Sequence, residues 1–354
     1  MNLTEARHVS QEMWQKWMKV PTRSGDVILT SEAPLGRCAR IPDNSKYVLG
    51  QRVFGLRGKD GVLDSGFLYY ALQSRYLQDQ LSSRASGTTV TGIRQSELIK
   101  VRVPDPGISE QKRIASILTS LDDKIAVNER IAATARQLGS TLFGQAILSG
   151  SPIETDIDSV SSVVTRGVAP RYSESADDLV VLNQKCIRDG RVSLAPARLT
   201  LREKVKPPKL LRHNDVLVNS TGVGTLGRVG RWTSDDSATV DSHITIVRFD
   251  ESEVDPVCAG FAMLRAQPEI EAMGEGSTGQ TELRRTQLGA LEITLPSEAQ
   301  QRRLRPKLDA LEAQADHALA ESVALAALRD TLLPQLMSGR LRVKDAEKIV
   351  EDHT

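Results

Sequence analysis

The stretch GTTVTGIRQSELIKVRVPDPGISEQKRIASILTSLDDKI, residues 87–125, changes character twice along its length. A polar loop rich in glycine and threonine comes first, then a segment punctuated by Pro104 and Pro106, then apolar residues at helical spacing. Proline fixes φ and removes a backbone donor, so these two residues separate what precedes them from the helix that follows. Ser109 reads as the N-cap of that helix. From Glu110 to Ile147 the apolar positions are Ile114, Leu118, Leu121, Ile125, Ala132, Ala135, Leu138 and Leu142. Steps of three and four make one apolar seam, with Asn128 as a polar member inside it.

The same text recurs about 190 residues later. Arg94–Leu98 meets Arg284–Leu288, Pro106 meets Pro296, and Gln111–Ile114 meets Gln301–Leu304. Upstream, GDVILTS at 25–31 meets NDVLVNS at 214–220, and Leu35-Gly36-Arg37 meets Leu226-Gly227-Arg228. The second helical seam reads Leu304, Leu308, Leu311, Ala315, Ala318, Ser322, Leu325, Leu328, Leu332 and Leu336, with Ser297 and Gln300 at capping-box spacing. Pro306 lies inside it, and a helix-interior proline costs about 3 kcal/mol, so an irregular start or a bend is expected there. Two copies in one order predict a pseudo-two-fold molecule and not a solenoid.

Each copy begins with short alternating runs, DVILTS, RVFGLR and HITIVRF, that read as strands. The expectation is an α+β chain of two globular domains joined by two long antiparallel coiled-coil helices. The boundaries are a first domain at 1–106, a central spacer helix at 107–149, a second domain at 150–296, a distal spacer helix at 297–340 and a tail at 341–354. A central helix on the order of 55 Å long is too long for one small domain to bury, so each helix takes the other as partner. Separate helical bundles are the alternative.

Composition excludes several classes. Three scattered cysteines, Cys38, Cys186 and Cys258, make neither a disulfide scaffold nor a zinc module. No apolar run is long enough to span a bilayer and no charged-then-apolar leader opens the chain, so a cytoplasmic location without membrane contact is expected. The five histidines have no metal-ligand spacing, and His243, in a strand-like run, reads as a strand histidine satisfied by its neighbours. Gly222-Val223-Gly224-Thr225-Leu226-Gly227 matches a dinucleotide fingerprint, but RVGRWT follows where that motif needs a helix. A turn between strands is the better reading, and no catalytic set emerges.

What recurs instead is a polar loop rich in Gly, Thr and Arg in each copy, at 84–95 and at 275–285. Glycine permits close backbone approach, hydroxyls and arginines donate to phosphates, and Arg or Gln can read base edges. A solvated loop carrying charge for solubility is the plainer alternative, and recurrence in both copies weighs against it.

At these residues the sequence resembles the specificity subunits of type I restriction–modification systems. The resemblance rests on 87–125, on GDVILTSEAPLGRCARIP at 25–42, QRVFGLR at 51–57, LVVLNQKCIRDGRV at 179–192 and LRDTLLPQLMSGRL at 328–341, and it extends over essentially the whole chain. It implies a non-catalytic scaffold that reads a bipartite double-stranded DNA site with two target-recognition domains. It also implies two docked modification subunits, which carry S-adenosylmethionine and methylate adenine N6; restriction subunits are an optional further partner. The chain itself is expected to hold no cofactor and no metal. The candidate DNA contacts are Arg84, Thr88, Thr89, Arg94 and Gln95 in the first domain. In the second they are Arg171, Tyr172, Lys185, Arg188, Thr278, Gln280, Arg284 and Arg285.

One departure concerns the first domain. From Gly150 the second copy runs 65 residues to Asp215, whereas 25 residues precede Asp26, so either the true start lies upstream or the first domain is natively shortened at its N-terminus and reads DNA with a reduced set of contacts. The rival to a specificity subunit is a stand-alone DNA-binding regulator or coiled-coil organiser without a methylating partner. The formal charge of +1 does not decide between them, because it is a cancellation. Residues 166–231 carry 13 basic and 6 acidic side chains, and residues 232–316 carry 8 basic and 16 acidic ones. A basic block can face phosphates while the acidic stretches face protein or water.

Overall fold

The computed structural model describes residues 6–274 and 282–353. The chain begins with α1 (Gln11–Trp17), β1 (Val27–Thr30), β2 (Cys38–Arg40), β3 (Val53–Leu56), α2 (Ser65–Gln73), α3 (Arg75–Ser83), α4 (Gln95–Leu98) and α5 (Ile108–Leu148). Next come β4 (Ile153–Asp156), β5 (Ser161–Arg166), β6 (Tyr172–Ser173), β7 (Leu179–Leu182), β8 (Ile187–Arg188), β9 (Arg191–Val192) and β10 (Arg198–Thr200). The remainder is β11 (Val216–Asn219), β12 (Val229–Arg231), β13 (Ala238–Val240), β14 (Ile244–Phe249), α6 (Pro256–Arg265), α7 (Gln267–Ala272), α8 (Arg285–Gly289), β15 (Glu292–Leu295), α9 (Glu298–Met337) and α10 (Val343–Glu351). Two units result, Met1–Arg130 with His317–Thr354 and Ile131–Asp316, so α5 and α9 each contribute to both.

In the first unit, β1 lies between β2 and β3 in an antiparallel sheet, with Val27 opposite Arg40 and Leu56. The alternation in DVILTS puts Val27 and Leu29 on the buried face, against Phe67 and Tyr70 of α2, Leu77 and Leu81 of α3, and Leu118, Leu121, Leu325 and Leu332 of the long helices. Asp64 caps α2 by accepting from the Phe67 amide, and Ser74 ends α2 while capping α3. The α5 and α9 segments of this unit run antiparallel. Arg329 Nη1 donates to Asp122 Oδ1 at 2.7 Å, and Asn128 Nδ2 donates to Glu321 Oε2 at 2.7 Å.

The second unit repeats this plan and adds to it. Its sheet has the order β12-β11-β14-β5, and β14 is buried at every residue because apolar layers cover both faces. Val247 and Phe249 face the core that holds α6, Phe143, Leu304 and Leu308, whereas Ile244 and Ile246 face a second core with Leu182, Ile187 and Trp232. That second core belongs to an extra sheet, β13-β7-β10-β6, in which β13 and β7 are parallel.

Several sequence expectations are corrected here. Leu138 is 46% exposed and lies off the seam, which passes instead through Ala135, Gly139 and Phe143. The physical reason is that Gly139 lets the Phe261 ring approach; a Cβ there would meet it at 3.1 Å and Leu308 at 3.6 Å. Ser109 is not the cap, because α5 begins one residue earlier and the Gln111 amide donates to the Gly107 carbonyl. Helix α9 is unbroken through Pro306 and starts regularly: Gln300 and Gln301 amides donate to Ser297 O at 2.8 and 2.9 Å, and Gln300 Oε1 accepts from the Ser297 amide at 3.3 Å. Of the other expected seam residues, Ile114, Leu118, Leu121, Leu304, Leu308, Leu325, Leu332 and Leu336 are buried, while Ile125, Leu142 and Leu311 are half-buried.

Candidate nucleic-acid interface

Both units build the same device from corresponding residues. In the first, β1 turns into β2 through Ser31–Arg37; in the second, β11 turns into β12 through Ser220–Arg228. Gly36 and Gly227 have φ of +87° and +81°, which glycine adopts without strain, and their amides donate to Thr30 O at 3.0 Å and Asn219 O at 2.8 Å. The glycine run at 222–227 is thus a strand-to-strand turn with no helix after it.

Each turn receives the polar loop through one conserved bond geometry. The Ile93 amide donates to Ser31 O at 2.9 Å, and the Leu283 amide donates to Ser220 O at 2.9 Å. Short bridges Glu32–Gly92 and Thr221–Glu282 stand beside them. Ile93 and Leu283 are buried, so burial of one apolar side chain fixes the loop's exit. The residues that follow, Arg94 and Gln95 in one unit and Arg284 and Arg285 in the other, are left exposed where α4 and α8 begin.

Behind each turn lies an arginine–aspartate clasp. Arg57 Nε and Nη2 donate to Asp26 Oδ1 and Oδ2, each at 2.6 Å, and Arg248 Nε and Nη2 donate to Asp215 Oδ1 and Oδ2 at 2.8 and 2.6 Å. The amides of Arg23 and Arg212 add a further bond to each carboxylate at 2.8 Å. Partial burial pushes Asp26 up, but hydrogen bonds from Arg57 and Arg23 outweigh it and leave the carboxyl below its ordinary value. Deeper burial wins at Asp215 and raises it, against the same kind of bonds from Arg248.

The second unit also forms a groove of about 670 Å³ in which Arg166, Arg284 and Arg285 stand with Asp158, Glu282 and Ser242. Arg166 Nη2 donates to Glu282 Oε1 at 2.9 Å and to Leu283 O at 2.7 Å. Lys209 Nζ donates to Thr165 Oγ1 at 2.8 Å and to the Arg166 carbonyl. Burial lowers the proton affinity of both Arg166 and Lys209; the Glu282 carboxylate partly restores that of Arg166, and the charge of Arg285 works against both. Arg284 and Arg285 are exposed at this groove, where they can meet an anion. Among the described residues no cluster of His, Cys, Asp or Glu could hold a metal ion, and no helix is long and apolar enough to cross a membrane.

The sequence candidates fall into distinct settings. Thr88 and Thr89 are exposed in the first loop, whereas Arg84 is half-buried with an Nε that has no hydrogen-bond partner among the described residues. Arg284 and Arg285 gather at the groove. Arg171 and Tyr172 stand on the extra sheet, where the Arg198 guanidinium lies 4.3 Å from the Tyr172 ring centroid. Lys185 and Arg188 are exposed. Lys185 follows Gln184, whose Nε2 donates to Thr221 O and Oγ1 at 2.6 and 2.7 Å. Thr278 and Gln280 lie outside the described residues. His243 is not inside a strand: it precedes β14, is exposed, and pairs its Nδ1 with Thr221 Oγ1 at 2.8 Å.

Sequence reasoning missed Arg166 and Lys209, which no motif marks. It also passed over Arg37 and Arg228, although the Leu-Gly-Arg recurrence carried the signal. Arg37 is exposed, and Arg228 Nη2 donates to Gly224 O at 2.8 Å, bracing the turn.

Residues 12–137 match the family model described as the type I restriction modification DNA specificity domain. The chain is 29% identical over 132 residues to the type I restriction enzyme MjaIX specificity subunit of Methanocaldococcus jannaschii, and 30% identical over 125 residues to the MjaVIII specificity subunit of the same organism. Those matches span 37% and 34% of this chain and 30% and 29% of the relatives, less than a third of their length. A longer match, 21% identical, covers 78% of the chain and 69% of the StySPI specificity subunit of Salmonella potsdam. The crystal structure of a type I restriction–modification S subunit from M. genitalium has the same fold, at a TM-score of 0.59 with 18% identity, covering 89% of this chain and 83% of that one. By these matches the chain is similar to type I restriction–modification specificity subunits, most directly over residues 12–137, where it carries their DNA specificity domain.

Proposed function

We propose that the chain is a non-catalytic subunit that reads a bipartite DNA site, one half with each unit, and brings modification subunits to it. The observation that carries this reading is the duplicated turn-and-loop device, with Ile93 on Ser31 and Leu283 on Ser220 at the same 2.9 Å. Two matched devices suit two half-sites, as in paired DNA readers. The groove and exposed arginines supply phosphate contacts, and Gln95 with the arginines supplies donors for base edges.

In this proposal α5 and α9 act as a coiled-coil spacer that sets the distance between half-sites, and their outer faces dock two modification subunits. Those subunits bring S-adenosylmethionine and methylate adenine N6, and restriction subunits can join them to cleave. The candidate contacts are Arg84, Thr88, Thr89, Arg94 and Gln95 for one half-site, and Arg171, Tyr172, Lys185, Arg188, Arg284 and Arg285 for the other.

The test is co-expression with a matched modification subunit, followed by mapping of N6-methyladenine with and without this chain. Methylation confined to one split motif, and lost without the chain, is expected. Co-purification of the chain alone, with no new methylation, would favour a stand-alone DNA-binding regulator instead.

A further inference from the structure

Within the second unit, the turn between β11 and β12 ends in Gly222-Val223-Gly224, and the Val223 side chain is 79% exposed. An isolated exposed valine is ordinary. This one is held out by an unusually braced backbone. Gly222 and Gly224 have φ of +104° and +73°, so the tip takes a path that side chains beyond glycine rarely adopt. The amides of Thr225 and Leu226 donate back to Gly222 O at 3.2 and 3.0 Å, and Arg228 fastens Gly224 O. At the base, Thr221 is bound by both Gln184 and His243.

Fixing so short a turn costs conformational entropy, and the one apolar side chain at its tip gains no burial within the unit. The corresponding turn of the first unit also presents an apolar tip, Ala33-Pro34, exposed at both residues. Both apolar tips adjoin the loop whose arginines are exposed, through the Thr221–Glu282 and Glu32–Gly92 bridges. An exposed apolar tip on a turn that is bridged to the segment carrying exposed arginines has one natural counterpart on duplex DNA, the thymine C5-methyl in the major groove. Unstacking wedges are built from longer side chains than valine, or from proline, so insertion between base steps suits Val223 less well.

We infer that Val223 is a specificity-determining residue that packs on a thymine methyl group in the half-site read by the second unit. This rests on the DNA-reading function proposed above. Removing one buried methyl forfeits about threefold to fivefold in affinity.

The experiment uses the full chain in complex with its modification subunits and the site found by methylation mapping. Deoxyuridine replaces each thymine of the site in turn, which removes only the methyl, and affinity is read by fluorescence anisotropy. The expected result is a threefold to fivefold loss at one position for the native chain and no loss at that position for Val223→Ala. Equal affinity for every thymine and deoxyuridine duplex, with specific methylation intact, overturns the inference and leaves the DNA-reading function standing. So does a site half without thymine, or a Val223→Ala complex that keeps the full methyl dependence. Absence of any sequence-specific binding overturns the proposed function itself.

Discussion

Arg248 clasps Asp215 with two hydrogen bonds, Nε to Oδ1 at 2.8 Å and Nη2 to Oδ2 at 2.6 Å, while its Nη2 also reaches Leu210 O at 2.9 Å. The first unit repeats every one of these contacts with Arg57, Asp26 and Pro21 O. The clasp ties the start of the first hairpin strand to the strand that pairs with it, so it fixes the platform from which the turn projects. The two copies differ in burial: the Arg248 side chain is 9% exposed and that of Arg57 is 33% exposed.

Removing one partner of a buried ion pair leaves the other charge uncompensated, at a cost of about 3–5 kcal/mol. Arg248→Ala is therefore expected to destabilise the second unit by that amount in denaturant unfolding. Arg57→Ala should cost clearly less, because water reaches the abandoned carboxylate. Equal losses would mean that burial does not set the strength of the clasp.

The clasp also has a pH signature. Asp26 sits below its ordinary 3.8 because its hydrogen bonds outweigh the effect of burial. A depressed carboxyl contributes stability that is complete above the unfolded value and is lost as pH falls through the folded one. Between pH 5 and pH 2 the native chain should lose more stability than Asp26→Asn, with the gap between them closing as acid is added. Parallel acid unfolding curves would show that Asp26 is not held as the carboxylate.

Packing of the long helices gives a sharper contrast. Leu118 is fully buried and Leu138 is 46% exposed. Leu118→Ala should cost about 2–5 kcal/mol, and Leu138→Ala should stay within about 0.5 kcal/mol. Gly139→Leu should destabilise more than Leu138→Ala, because Phe261 and Leu308 already occupy the space beside Gly139. Thermal unfolding of the three variants checks the order.

How much of this could be read beforehand follows from the same residues. Apolar periodicity gave the two long helices, since Ile114, Leu118 and Leu121 recur at helical steps and are buried. Periodicity failed at Leu138, because counting apolar side chains passes over a glycine that serves as a seam position. The matched strands GDVILTS and NDVLVNS were visible as text, but the clasps within them were not: Arg57 and Asp26 are 31 positions apart, and nothing local links them. Candidate site residues were most legible where they recur. Arg94 and Arg284 follow matched anchors, while Arg166 of β5 and Lys209, which lies on no strand, come near Arg285 through long-range packing that no local pattern marks.

That gathering of charge leads to the last prediction. Arg285 is exposed beside Arg166 and Lys209, and its charge opposes the protonation of both. Arg285 and Arg166 line one groove, and on DNA the anion such a pair meets is a backbone phosphate, which carries no sequence information. Arg285→Ala should therefore weaken binding to specific and non-specific duplexes by similar factors. It should also flatten the plot of log affinity against log salt by about one unit, as expected for one released counterion. Titrations at several salt concentrations measure both effects. A loss confined to duplexes changed at one base pair, with the slope intact, would instead place the Arg285 guanidinium on a base edge.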